Sequence, residues 1–318
     1  MCTALFVNHG GGYACRNLDL EYAYEEQVVI MPRRRPLHFR CRTGLCDHQA
    51  MIGTAFVPEN EPLFYDAVNE SGLSMAALNF PGEAVYHDAE NGVAPFEMIP
   101  FVLSQCKTCR EAVELLSTVT VSPIDYSPAL PHTPLHWMIA DKSGAVAVEP
   151  LSDGLHIVPD PVGVLTNSPS LSYHLTRLAE YTAVTSSSPP SDFGGHKVTL
   201  YSRGMGGLGL PGDFSSASRF VKAVFVKSHA RFDETDAVSE CFHILDTVAH
   251  PRGSVVLPDG RSQITVYSSC CHVQSGVYYY KTYDSHRICA VDLHRADLDS
   301  RTLRCYPHMK APARHFQN

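Results

Sequence analysis

The sequence predicts an α+β fold, with strands dominating both ends of the chain and helices between them. Three observations carry that prediction. Strand-like apolar runs crowd the N-terminal part and return near the C-terminus. Helical spacing appears in segments set between them. The order lacks the regular strand–helix–strand alternation that marks a parallel sheet.

The elements follow in order. Residues 2–7 (CTALFV) form a short apolar run ended by Asn8, His9 and three glycines, and a second run spans 13–20, so the chain opens with a hairpin. Further strands are expected at 27–31 (QVVIM), 51–57 (MIGTAFV), 73–80 (LSMAALNF), 135–141 (LHWMIAD), 145–150 (AVAVEP) and 163–167 (GVLTN), with a DKSG turn at 141–144. Helical spacing marks 95–106, 110–119, 170–182, 215–230 and 237–249. The fourth of these starts on a serine pair suited to capping. Strands resume at ITVYSSCCHV and GVYYYKTY and need partners far away in sequence. The Ser/Pro-rich stretch 182–195 is the clearest loop, within an insertion that runs to about 209. No linker separates two autonomous cores, so residues 1–318 read as one domain.

Composition narrows the function classes. With 25 Lys+Arg against 33 Asp+Glu the net charge is −8, and Arg33, Arg34 and Arg35 form the longest basic block, which argues against nucleic acid as a partner. No apolar run reaches the roughly 18 residues that a membrane span requires, so stable membrane insertion is not expected. The start, MCTALFVNHGG, lacks the basic and apolar regions of a secretory signal, and a cytoplasmic location is expected. Eleven cysteines are an odd number scattered through a chain too long to need staples, so most should be reduced thiols. Three clusters mimic ligand spacing: Cys41, Cys46 and His48; Cys106 and Cys109; and Cys270, Cys271 and His272. Structural zinc prefers two short-spaced pairs, and C-x₂-C occurs once, so no metal is expected. In QCKTCREAVELL, Cys106 is expected to pack and Cys109 to cap or face solvent. The 17 histidines are dispersed, without a helical H-E-x-x-H pair.

The strongest chemical signal is positional: a cysteine stands directly behind the initiator methionine. Trimming of Met1 is expected when residue two is small, and it would leave Cys2 with a free α-amine. That amine has a pKa of about 7.7 to 8.0 against about 8.5 for a thiol, so one residue would supply both base and nucleophile. Arg16, Asn17 and Asp19 lie on the hairpin's second strand. Alternation puts Arg16 and Asp19 on opposite faces unless the strand ends or bulges near Asn17. An arginine near the sulfur would favour thiolate, and an aspartate accepting from the α-amine would orient it.

MCT at the start, R-N-x-D at 16–19, NESGL with LNFPG at 69–82, LHWMIADKSG at 135–144, GVLTNSP at 163–169 and GLGLPGDFSSASRFVKA at 207–223 resemble the choloylglycine hydrolase family in motif order over nearly the whole chain. The resemblance implies an N-terminal nucleophile hydrolase fold, a four-layer αββα sandwich of two antiparallel sheets. It also implies that Cys2 is the nucleophile, Arg16 and Asp19 its neighbours, Asn167 an oxyanion donor, Asn79 the residue whose backbone amide completes that hole, and Arg219 the arginine tying the network together. The substrates so implied are glycine- or taurine-conjugated bile salts, cleaved through a thioester without any cofactor, and the assembly implied is a homotetramer with the 182–209 insertion reaching a neighbour. Cys2, Arg16 and Asn79 would also meet the substrate, and Leu18, Tyr65 and Leu135 are candidates for the apolar wall under the steroid. Penicillin V acylases share the family and its chemistry. They often carry tyrosine where Asn79 stands, which favours bile salts. The alternative from another class is a thiol-rich redox or metal-binding protein.

Overall fold

The computed structural model describes residues 1–233, 236–311 and 316–317. Two antiparallel sheets form its centre. The first runs in the order β10 (Val164–Leu165), β1 (Cys2–Val7), β2 (Tyr13–Leu20), β14 (Ser262–His272), β15 (Val277–Thr282) and β16 (Cys289–Asp292), with β13 (Val255–Val256) also paired to β14. The second runs in the order β17 (Arg304–Pro307), β3 (Gln27–Met31), β4 (Met51–Phe56), β5 (Leu63–Asn69), β6 (Ser74–Asn79), β7 (Leu135–Asp141), β8 (Gly144–Leu151) and β9 (Gly154–Asp160). Helices α1 (Met98–Gln105) and α2 (Cys109–Leu116) cover the outer face of the second sheet, while α4 (Ser216–His229) and α5 (Ala237–Asp246) cover that of the first. Helix α3 (Leu171–Arg177) packs beside α4. The result is the αββα sandwich of the expectation.

Two apolar cores follow from the layering. One fills the space between the sheets and extends under α4 and α5, with Cys2, Leu5, Ile52, Leu78, Phe220 and Leu245 among its members. The other, built on Met51, Met75, Trp137 and Val102, lies between the second sheet and α1–α2. Burial on both faces explains why β1 reads as a continuous apolar run rather than an alternating one.

The opening hairpin depends on its glycines. Gly12 has φ +91°, and a Cβ there would come within 2.8 Å of the Phe6 ring and 3.0 Å of Val273. The expected helices at 95–106 and 170–182 are each part α and part 3-10: Pro95–Glu97 precedes α1, and Leu178–Tyr181 follows α3. The expected strand at 163–167 narrows to β10, because Thr166 and Asn167 leave the ladder to make side-chain contacts. Strands β5, β9, β13, β16 and β17 lie outside the expected runs. Within the insertion, β11 (Asp192–Phe193) and β12 (His196–Lys197) form a small exposed hairpin.

Candidate active site

The register of β1 on β2 sorts the site into two faces. Cys2 pairs with Leu18 and Ala4 with Arg16, while Thr3 pairs with Asn17. Directly opposed residues project to the same side of a sheet. Cys2, Arg16 and Leu18 therefore face the second sheet, and Thr3, Asn17 and Asp19 face the helices. Arg16 and Asp19 occupy opposite faces of β2. The irregularity nearby lies on the partner strand, where β14 inserts Val266 between Thr265 and Tyr267.

On the inner face, Arg16 is fully buried. Its Nη1 donates to the Tyr65 carbonyl at 2.5 Å and lies 3.9 Å from Asp66 Oδ1. Asp66 is itself held by the hydroxyls of Tyr267 at 2.5 Å and Tyr278 at 2.7 Å. Burial alone would lower the Arg16 pKa, but the surrounding Tyr267, Cys2 and Asp66 raise it, so the guanidinium stays charged. Burial pushes the Asp66 carboxyl up, against the pull of Arg16 and the two phenols. Nε and Nη2 of Arg16 are buried without a protein partner. Unmet donors on a buried cation are costly, and beside a cysteine they suit a thiolate or an anionic ligand.

On the outer face, Arg219 in the first turn of α4 binds the start of the chain. Nη1 donates to the Cys2 carbonyl at 2.5 Å and to Thr3 Oγ1 at 2.6 Å, Nη2 to Asn167 Oδ1 at 2.7 Å, and Nε to the Phe214 carbonyl at 3.0 Å. Burial lowers its pKa, opposed by Asp19 and Cys2. Asn167 joins the two halves of the site. Its Oδ1 also accepts from the Cys2 backbone N–H at 2.8 Å, and its Nδ2 donates to the Asn79 carbonyl at 2.6 Å. The serine pair at 215–216 divides its work. Ser215 caps α4, whereas Ser216 Oγ accepts from the Asn167 N–H and donates to the Asn167 carbonyl, both at 2.8 Å. His174 Nε2 lies 2.9 Å from that carbonyl.

Asp19 does not reach the amine through its carboxylate. Oδ1 accepts from Thr265 Oγ1 at 2.6 Å, and Oδ2 lies 3.8 Å from His250 Nε2 and 4.0 Å from Arg219 Nη1. The Asp19 backbone carbonyl accepts from the Met1 amine at 2.7 Å, and Met1 returns its carbonyl to the Asp19 N–H at 2.9 Å. Burial brings His250 down to about 4, against the attraction of Asp19, so it stands neutral behind that carboxylate near pH 7.

Cys2, Arg16, Asp19, Asn79, Asn167 and Arg219 thus converge from β1, β2, β6, the segment after β10 and α4. Leu18 is buried opposite Cys2, and Tyr65 is the extra residue where the β4–β5 register shifts, packed on the inter-sheet core. Leu135 pairs with Asn79 but makes its apolar contacts in the core under α1 and α2. The sequence reading did not find Asp66, Thr3, Ser216, Thr265 or His250. Alternation from Asn17 offered a signal for Thr3, and the capping serines offered one for Ser216. Asp66 and His250 carry no local signal, since each meets its partners across long sequence gaps.

Cys109 is a correction: it is buried in the first turn of α2, because Thr108 takes the capping position and Cys109 N–H donates to Asp141 Oδ2 at 2.7 Å. Among the described residues, the three short-spaced clusters do not gather as ligand sets. Both ring nitrogens of His48 face backbone carbonyls, and those of His272 face Ser275 Oγ and the Gly10 carbonyl. Every one of the 11 cysteines is a free thiol.

Two facing antiparallel sheets clad by helices, with a cysteine heading an innermost strand, define an N-terminal nucleophile hydrolase architecture. A sequence model described as "Linear amide C-N hydrolases, choloylglycine hydrolase family" matches residues 2–306. The chain belongs to the choloylglycine hydrolase family and is an amide hydrolase. It is 44% identical to a bile salt hydrolase/transferase of Lactiplantibacillus plantarum over 99% of both chains. It is 32% identical to one of Clostridium perfringens over 98% of both. The crystal structure of a mutant conjugated bile acid hydrolase from Clostridium perfringens superposes with a TM-score of 0.93 over 100% of both chains at 32% identity. A penicillin V acylase from Agrobacterium tumefaciens shares the fold, with a TM-score of 0.76 at 18% identity over 96% of this chain and 90% of that one. No helix among the described residues is long and apolar enough to cross a membrane.

Proposed function

We propose that this chain hydrolyses the amide joining a bile acid to glycine or taurine, with Cys2 as nucleophile once Met1 is removed. The observation that carries the reading is the placement of Cys2 between two arginines. Arg16 presents unpartnered donors on the face of the sulfur, and Arg219 with Asn167 fixes the backbone that would bear the amine. The full-length similarity to bile salt hydrolases supports the substrate class.

In the first step the thiol proton passes to the Cys2 amine, the sulfur attacks the amide carbonyl, and the amine protonates the departing glycine or taurine nitrogen. In the second, water cleaves the thioester and returns the thiol. Negative charge on the carbonyl oxygen is met by Asn167 Nδ2 and the Asn79 backbone amide, and loss of one such donor typically costs about 100- to 1000-fold in rate. Arg16 serves the thiolate and the conjugate's anionic end. Leu18 and Tyr65 share the inter-sheet core with Cys2 and would bound an apolar wall, whereas Leu135 turns to the separate core under α1 and α2. No step requires a cofactor.

The same reading takes residues 1–318 as one domain, assembled as a homotetramer in the cytoplasm, where 11 free thiols are at home. Release of glycine and taurine from glycocholate and taurocholate, measured beside hydrolysis of penicillin V, tests the substrate assignment. Faster turnover of penicillin V than of either conjugate would overturn it.

A further inference from the structure

Three thiols from separate elements meet beneath α5. Cys15 on β2 and Cys270 on β14 are direct cross-strand partners, so both leave the helix-facing side of the first sheet, and Cys241 from α5 packs onto them. The three Sγ atoms lie within 4.8 Å of one another, and all three residues are buried. This group stands on the opposite face of β2 from Cys2 and Arg16 and takes no part in the chemistry above.

Hydrogen bonds from the Cys15 and Cys270 thiols bring Cys241 down to about 5, outweighing its burial, whereas burial pushes Cys15 and Cys270 well up. Nearby, Lys227 donates to the Val162 carbonyl at 2.5 Å, and burial lowers its pKa against the opposing pull of Asp160 and, more weakly, Cys15.

We propose that Cys15, Cys241 and Cys270 form a three-sulfur site for a soft monovalent cation of the Cu(I) class. Thiolates select soft ions, hard cations require oxygen donors, and structural zinc takes four ligands where this group offers three. At a metal–sulfur length of about 2.3 Å, trigonal sulfurs stand about 4 Å apart, a contraction of under about 1 Å from the present spacing. The entering cation displaces thiol protons of the cluster to solvent, so binding strengthens as pH rises.

The test uses the full chain carrying Cys2→Ala, which removes the competing thiol of the site. Cu(I) is supplied anaerobically from a chromophoric chelator. This protein should retain one more tightly held Cu(I) than the Cys2→Ala/Cys241→Ala protein, with three sulfur neighbours by X-ray absorption. Equal Cu(I) content in the two proteins, or a two- or four-coordinate spectrum, would overturn the site. If Cys241→Ala does not fold, the thermal midpoint of the Cys2→Ala protein decides. It should rise with Cu(I) and not with an equal amount of Zn(II), and a rise with both ions or with neither rejects the proposal.

Discussion

Arg219 donates to the Cys2 carbonyl at 2.5 Å across 217 residues of sequence, and through the same fork it reaches Thr3 Oγ1 and Asn167 Oδ1. One side chain thereby fixes the first peptide units of β1 against the segment after β10. Lysine cannot reproduce this, because an ammonium is a single point of charge without the planar fork. Arg219→Lys should lower kcat by about 100-fold, in line with loss of a preorganised donor network. It should also cost about 1–3 kcal/mol in urea denaturation, since the Asn167 or Thr3 oxygen is left unmet. An Arg219→Lys enzyme with unchanged kcat would show that the fork does not position Cys2.

A pH-dependent term in stability should come from His308. It stacks on Tyr280 with ring centroids 4.4 Å apart, and burial brings its pKa down to about 3, with Lys310 adding to the effect. Its unfolded value is about 6.5, so between those values the unfolded chain holds a proton that the folded chain does not. The contribution is present in full above pH 6.5 and is lost as pH falls through the window toward 3, at no more than about 1.4 kcal/mol per unit. Asp160, held up to about 6 by burial, works in the opposite direction, so the measurable quantity is a difference between two chains. The stability of the unaltered chain relative to His308→Phe should fall by roughly 2 kcal/mol between pH 5.5 and 4 in urea titrations. A pH-independent difference would place a protonated imidazole in the fold.

Strands β1 and β2 were legible because an apolar run, a glycine turn and a second run are local signals. The pairing of Cys2 with Leu18 then follows from the turn that joins them. Strand β5 was not, because Asp66 interrupts its apolar pattern and Tyr65 is an extra residue in its register. A buried carboxylate looks like a surface residue until Tyr267 and Tyr278, some 200 residues on, are brought to it. Strand β9 carries Pro159, and β17 is four exposed residues at a sheet edge, so neither shows a buried face to a reader of the sequence. The thiol cluster escaped for a related reason. Ligand searches weigh short spacings, and Cys15, Cys241 and Cys270 come from two strands and a helix.

The insertion bears on assembly. Thr185 N–H donates to the Gly206 carbonyl at 2.9 Å, so the two ends of the segment between them are already in contact. Beyond that clasp Phe193 and Tyr201 are 80% and 82% exposed, apolar surface that a neighbouring subunit would cover. Deletion of residues 186–205 should therefore close without strain on the body of the chain and leave dimers or monomers by light scattering. A tetramer that survives the deletion would place the subunit contacts elsewhere.

The decisive prediction concerns the first two residues. With Met1 present, the Cys2 nitrogen is an amide that donates to Asn167 Oδ1, and an amide cannot take the thiol proton. With Met1 removed, the same atom becomes an amine of pKa about 7.7 to 8.0, able to accept that proton near neutral pH. The Asp19 carbonyl that now accepts from Met1 loses its partner at 2.7 Å and becomes free to take a water or the new amine. Intact mass of active protein should therefore lack methionine. Cys2→Ala should abolish hydrolysis of glycocholate, and Cys2→Ser should nearly do so, because a hydroxyl is far less acidic than a thiol. By contrast, alanine at Cys15, Cys106 or Cys271 should cost stability of order 1 kcal/mol or somewhat more while leaving turnover within a few-fold. Full activity in a chain that retains Met1, or in Cys2→Ala, would remove Cys2 from the reaction and with it the roles argued for Arg16, Asn167 and Arg219.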